Sequence, residues 1–196
     1  MHRRAAPKVR NGKVQKKNNH ELTPSYWNTD IRDIVIDREK PGVGHKHIIK
    51  RKDIIEFIKL LPEWNELSKD LNAIVLSKAS PFADGRCYSE GVIKIGAWPK
   101  DLWVSCTPEY FSGHKDIFDK LNLKYEKVGN MYLCKFDESQ VRAYQLLHIF
   151  LHELGHHHDR ITTKSKRRSS RGEAYAEEYA RKYESLIWTD YFNRFT

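Results

Sequence analysis

Residues Leu151 to Asp159 read LHELGHHHD, and the fold turns on whether this is the polar end of a helix or its working part. Upstream, Asp137 stands where a helix cap belongs. Gln140, three residues later, holds the position that returns a hydrogen bond to such a cap. From Val141 to Leu154 the chain is then apolar nearly all round, the composition of a helix buried on every side. Histidines at the end of such a helix need a reason. On an α-helix, residues four apart lie about 40° from one another with Cβ atoms ~5–6 Å apart, so His152 and His156 can grip one metal ion. Glu153 lies about 100° round from His152, a poor angle for a ligand but one that reaches a water beside the ion. That is the place of a general base.

Two imidazoles leave such a site incomplete, because a catalytic zinc keeps three protein ligands and one open position. No histidine follows His158, and Asp159 and Thr162 stand where an HExxHxxGxxH pattern needs Gly and His. A carboxylate is left. The stretch GEAYAEEYARKYE, Gly172 to Glu184, belongs to a last helix expected from Ser170–Gly172 to about Trp188, with an apolar stripe of Ala176, Tyr179, Ala180, Tyr183 and Ile187. In helical projection Glu173 lies nearest that stripe, Glu177 flanks it and Glu178 points nearly away, which favours Glu173 as the third ligand. Ser170 and Glu173 also have capping-box spacing. If Glu173 only closes its own helix start, Glu177 takes its place at the metal.

HELGH followed by a helix opening EAYAEEYA resembles the gluzincin class of zinc metallopeptidases. It is similar both to the anthrax-lethal-factor-like peptidase domains and to the ImmA/IrrE-like bacterial peptidases. The resemblance covers roughly residues 138 to 188. It implies that Glu173 completes a zinc (Zn2+) site with His152 and His156. It also implies a zincin-like α+β fold, in which a small twisted sheet packs on the buried HExxH helix and an edge strand binds an extended protein or peptide substrate. GVIKIGAW, Gly91 to Trp98, is the expected edge strand. The activity implied is peptide-bond hydrolysis by a metal-activated water, with Glu153 as the catalytic base.

The neighbouring side chains have competing readings. Asp159 projects close to His152 and either orients a ligand imidazole or caps a helix end. His157 projects away from the ligand face and His158 toward the apolar side, and each reads as a structural or surface histidine. His148, one turn before His152, reads as a buried, hydrogen-bonded histidine. For a donor to the transition state, Tyr175, Tyr179, His114 and Arg171 all qualify.

Elsewhere, NAIVLSKA (Asn72 to Ala79) reads as a strand, with weaker strands near Leu102 to Cys106 and Met131 to Phe136. Asp53 and Glu56 form a capping pair for a helix that Pro62 stops, and Asp116 to Leu121 is a short helix. Pro41, Gly42 and Gly44 mark a turn. Strands followed by two long C-terminal helices make an α+β architecture.

Composition bounds the rest. The 196 residues suit one core, read as a single domain over residues 25–196 behind a basic tail over residues 1–24. Cys87, Cys106 and Cys134 are odd in number and never in a CxxC pair, which argues against a disulfide framework or a cysteine zinc site. No stretch approaches the ~20 apolar residues of a membrane span, and the N-terminus lacks the apolar segment of a secretory signal, so a cytoplasmic protein without membrane contact is expected. Arg3, Arg4, Lys8, Arg10, Lys13, Lys16 and Lys17 carry most of the net charge of +9, in a tail too poor in apolar residues to order itself in isolation. KSKRRSSR, Lys164 to Arg171, is a second basic cluster. Both suit nucleic acid as a partner. The alternative to a peptidase is therefore a nucleic-acid-associated regulatory or interaction protein with a structural or vestigial zinc site.

Overall fold

The computed structural model describes residues 24–30, 33–163 and 170–195, and in the tail the backbone of two short strands, β1 (Val9–Arg10) and β2 (Lys13–Val14), which pair antiparallel. The remainder of the tail and most of KSKRRSSR lie outside the described residues. The architecture is mixed α+β. In chain order follow β3 (Val35–Arg38), β4 (His45–Lys46), α1 (Arg51–Ile58), α2 (Trp64–Leu67), β5 (Ala73–Ser77), β6 (Gly85–Tyr88), β7 (Val92–Gly96), β8 (Trp98–Pro99), β9 (Trp103–Cys106), α3 (Pro108–Lys120), β10 (Lys124–Val128) and β11 (Met131–Lys135). A helical rod then runs through α4 (Glu138–Tyr144), a π-helical turn (Gln145–Phe150) and α5 (Leu151–Thr162), and α6 (Gly172–Phe195) closes the fold.

The principal sheet has the order β3-β5-β7-β6. Its first three strands are parallel, and β6 returns antiparallel along β7 as the edge. Every residue of β5 is buried, because a central parallel strand is covered on both faces and so reads AIVLS without alternation. On one face lies the helical rod. On the other, Tyr26 packs over Ala73, Val75 and Val92 while its hydroxyl donates to Asp37 at 2.7 Å.

The expected edge strand is corrected here: Val92–Gly96 is interior, between β5 and β6, and the exposed edge belongs to GRCY of β6. That four-residue strand carries Gly85 and too little alternation to announce itself. A second sheet, β10-β11-β9, holds Cys106 and Cys134 as buried free thiols. Two helices also differ in extent. The cap of α1 is Lys50, whose backbone N–H donates to Asp53 at 2.8 Å, so Asp53 sits inside the first turn. α3 begins at Pro108 behind a Thr107 cap, eight residues before Asp116.

The rod forms as its residues demand. Asp137 accepts from the Gln140 backbone N–H at 2.7 Å, and the Gln140 side chain accepts from the Asp137 N–H at 2.9 Å. Every residue from Gln145 to Phe150 is buried, and Gln145 donates to the Gly96 carbonyl at 2.7 Å, tying the π turn to the end of β7. Such π turns are rare and concentrate at functional sites. Among the described residues, no helix is long and apolar enough to cross a membrane.

Candidate metal centre

α5 carries His152 and His156 on the face turned toward α6, and the start of α6 brings Glu173 to them. The Nε2 atoms of the two histidines are 3.1 Å apart. One Glu173 oxygen lies 3.1 Å from His152 Nε2 and the other 3.4 Å from His156 Nε2. For a tetrahedral zinc with bonds of ~2.0–2.1 Å the ligand atoms stand roughly 3.3 Å from one another. The three donors therefore already have the separations a zinc ion needs. Glu173 does not fold back to cap its own helix, and its side chain, 81% exposed, stands at the open rim of the site.

Two close approaches make this convergence possible. A methyl group at Gly155 would lie 2.9 Å from Ala176 Cα and 3.0 Å from Tyr179 Cβ, so only glycine lets α6 descend onto α5 at this level. The start of α6 is also tied down. Asp159, fully buried at the far end of α5, accepts the Arg171 backbone N–H at 2.8 Å, two residues before Glu173. Asp159 thus anchors the helix that supplies the third donor, and orients no ligand imidazole directly.

Glu177, one turn beyond Glu173, takes the other side of His152. Its Oε1 is 3.1 Å from His152 Nδ1, off the ring's N–H direction, and 3.7 Å from His148 Nε2. The two glutamates that compete in the sequence occupy opposite sides of one imidazole, Glu173 with Nε2 and Glu177 with Nδ1. A carboxylate behind a ligand histidine holds the ring and raises its basicity.

Glu153 is buried beside the site. Burial pushes its carboxyl up to about 7 against the pull of His152. Burial also opposes charge on His152, but the carboxylates of Glu177, Glu153 and Glu173 outweigh it and raise that pKa. His156, burdened by burial and by His152, is lowered. Three carboxylates around two imidazoles make a site whose electrostatics favour a cation.

These residues line one end of a cleft of about 720 Å³. Its wall is β6, and Gly85 is the second close approach: a methyl there would lie 2.7 Å from Ile149 Cγ2 and 2.8 Å from the Glu153 side chain. The edge strand thereby borders the carboxylate directly. Tyr110, His114, His148 and Glu177 line the cleft as well. Of the four candidate transition-state donors only His114 does so. Tyr175 hydrogen-bonds His158, Tyr179 packs against Tyr183, and Arg171 lies over the Tyr175 ring.

Sequence reasoning missed Gly85, whose only signal is a glycine in a strand. It also missed the orientation of Glu177 and the approach of α3. No family model matches the chain, and neither a curated protein nor a solved structure matches it.

Proposed function

We propose that the chain is a zinc-dependent peptidase of zincin-like fold, with His152, His156 and Glu173 as the metal ligands and Glu153 as the general base. The observation that carries the reading is the convergence of three donor side chains, with contacts of 3.1–3.4 Å, beside a buried carboxylate, in a cleft walled by a strand edge. A zinc ion bound there supplies Lewis acidity toward a scissile carbonyl and toward a water.

The chain's own residues do the rest. The free edge of β6 offers backbone N–H and C=O groups to an extended peptide, which lays its carbonyls along the cleft toward His152 and His156. Glu153 takes a proton from the attacking water at a carboxylate oxygen and passes it to the leaving amine nitrogen. Its burial excludes bulk water from that transfer. Glu177 lies 3.1 Å behind the His152 ring, and its carboxylate raises the basicity of that imidazole. The open rim at Glu173 leaves room for a chain to pass through.

The test compares zinc-loaded protein with Glu153→Gln on a complex mixture of peptides, with cleavage read by mass spectrometry. Cleavage by the native protein, abolished by a chelator and lost in Glu153→Gln at equal zinc content, is the expected result. Absence of cleavage by the zinc-loaded native protein, or equal cleavage by the variant, overturns the reading.

A further inference from the structure

The same cleft holds three further donors beside the first set. His114 on α3, His148 in the π turn and Glu177 on α6 come from three separate elements, and each offers a ligand atom within 4.8 Å of the others. The His148 side chain is 4% exposed, yet its Nε2 stands 3.7 Å from Glu177 Oε1, beyond hydrogen-bonding range. Among the described residues the His148 ring makes no hydrogen bond. Glu177 Oε2 is buried and accepts no hydrogen bond either, with Arg181 Nε 4.0 Å away. An imidazole that lines the cleft with no hydrogen-bond partner and a buried carboxylate oxygen that accepts none leave polar atoms available to a ligand.

His114 is prepared for the same ligand. Its Nδ1–H donates to the Tyr110 carbonyl at 2.7 Å, which leaves the Nε2 lone pair unprotonated in the neutral ring. The ring is stacked on Tyr110 at 4.1 Å and meets His148 edge-on at 4.8 Å. Tyr110 is in turn fixed by donating its hydroxyl to Asp84 and meeting the Tyr144 hydroxyl at 2.6 Å. A backbone carbonyl that sets the tautomer of an imidazole, leaving the other nitrogen free, is what metal-ligating histidines show.

We propose that His114, His148 and Glu177 form a second binding site, for a divalent transition metal. Two imidazole nitrogens and one carboxylate oxygen suit zinc or cobalt; magnesium and calcium require oxygen donors. His148 Nε2 and Glu177 Oε1 stand 3.7 Å apart, against 3.1 to 3.4 Å for the donor contacts of the first site. They must draw together on binding, so the second site fills after the first. The proposal does not depend on peptidase activity.

Metal-free full-length protein titrated separately with Zn2+ and with Co2+, with bound metal measured after equilibrium dialysis, tests it. About two ions per chain are expected for the native protein, and about one each for His114→Ala and Glu173→Ala, on the rule of one ion per three-ligand site. The Co2+ absorption bands should change in shape between the first and second equivalents. His114→Gln, which keeps a polar side chain beside Tyr110, serves as a second variant, with circular dichroism reporting the fold of both. A native stoichiometry of one that is kept in a folded His114 variant, or a stoichiometry of two in that variant, overturns the second site. Loss of one ion in His114→Ala with none lost in Glu173→Ala would instead overturn the first site and leave this one standing.

Discussion

Two consecutive turns of one rod carry two kinds of histidine. His152 and His156 face the cleft, with Nε2 atoms 3.1 Å apart, a carboxylate against both, and buried Nδ1 atoms that make no hydrogen bond. His157 and His158 face away and are spent. His157 is fully buried, with Nε2 donating to the Lys69 carbonyl at 2.7 Å and Nδ1 accepting from Arg160 at 2.7 Å. Arg160 in turn donates to the Tyr88 carbonyl at 2.8 Å, at the end of the edge strand. His158 Nδ1 pairs with the Tyr175 hydroxyl at 2.7 Å. Residue type and near-identical position do not separate the two kinds. What separates them is whether the ring nitrogens already have partners: the satisfied pair ties α5 to its neighbours, and the unsatisfied pair converges on a space an ion can fill.

If that contrast is right, substitutions on the cleft side change metal binding and chemistry with little effect on stability, and those on the packed side do the reverse. The largest effect expected is that of Glu153→Gln on hydrolysis, a loss of about 10²–10⁴-fold for removal of a general base. Zinc content by metal analysis and the thermal midpoint should stay near native values. Loss of zinc would show Glu153 to be a ligand rather than a base.

Glu177→Ala removes the carboxylate behind His152 and should weaken zinc at the first site by about 10–100-fold, the usual cost of losing such a partner. Competition against a chelator of known affinity measures it. Unchanged affinity at the first site would mean that the 3.1 Å approach to Nδ1 does not hold the ring.

On the packed side, His157→Ala leaves the Lys69 carbonyl without its donor and Arg160 Nη2 without the His157 acceptor, and should destabilise the fold by about 1–3 kcal/mol. Denaturant unfolding gives the magnitude. First-site zinc affinity should be unaffected, and a variant that loses zinc while keeping its stability would break the division outright.

Gly155→Ala lies on the border between the two sides and sharpens it. Overpacking against Ala176 costs ~1–3 kcal/mol, but alanine regains ~1 kcal/mol as the better helix former, so the net loss of stability is small. The added methyl should still lift α6 and carry Glu173 from His152 and His156. A measurable fall in zinc affinity beside a nearly native unfolding curve is expected. An unchanged affinity would show that Glu173 reaches the site without the close approach of the helices.

Much of this was legible in the sequence because it depends on neighbours within a few residues. The Asp137 and Gln140 cap, the fourfold spacing of His152 and His156, and the buried stripe of Ala176, Tyr179, Ala180, Tyr183 and Ile187 follow from helical periodicity and local hydrogen bonding. Helical phase also singled out Glu173 and Glu177 as the two carboxylates within reach. Their division of labour across one imidazole did not follow from phase, because it depends on how α6 sits on α5, and therefore on Gly155 and on the Asp159 contact to Arg171. The edge strand likewise required tertiary structure. β7 is the more apolar strand for the same reason that it is interior, and only the pairing of β6 along its free side shows which strand meets the cleft. His114 lies 34 residues from His148 in the chain and 4.8 Å from it in space, ring to ring. Proximity of that kind comes from the packing of α3 against the rod, and no local pattern in the chain encodes it.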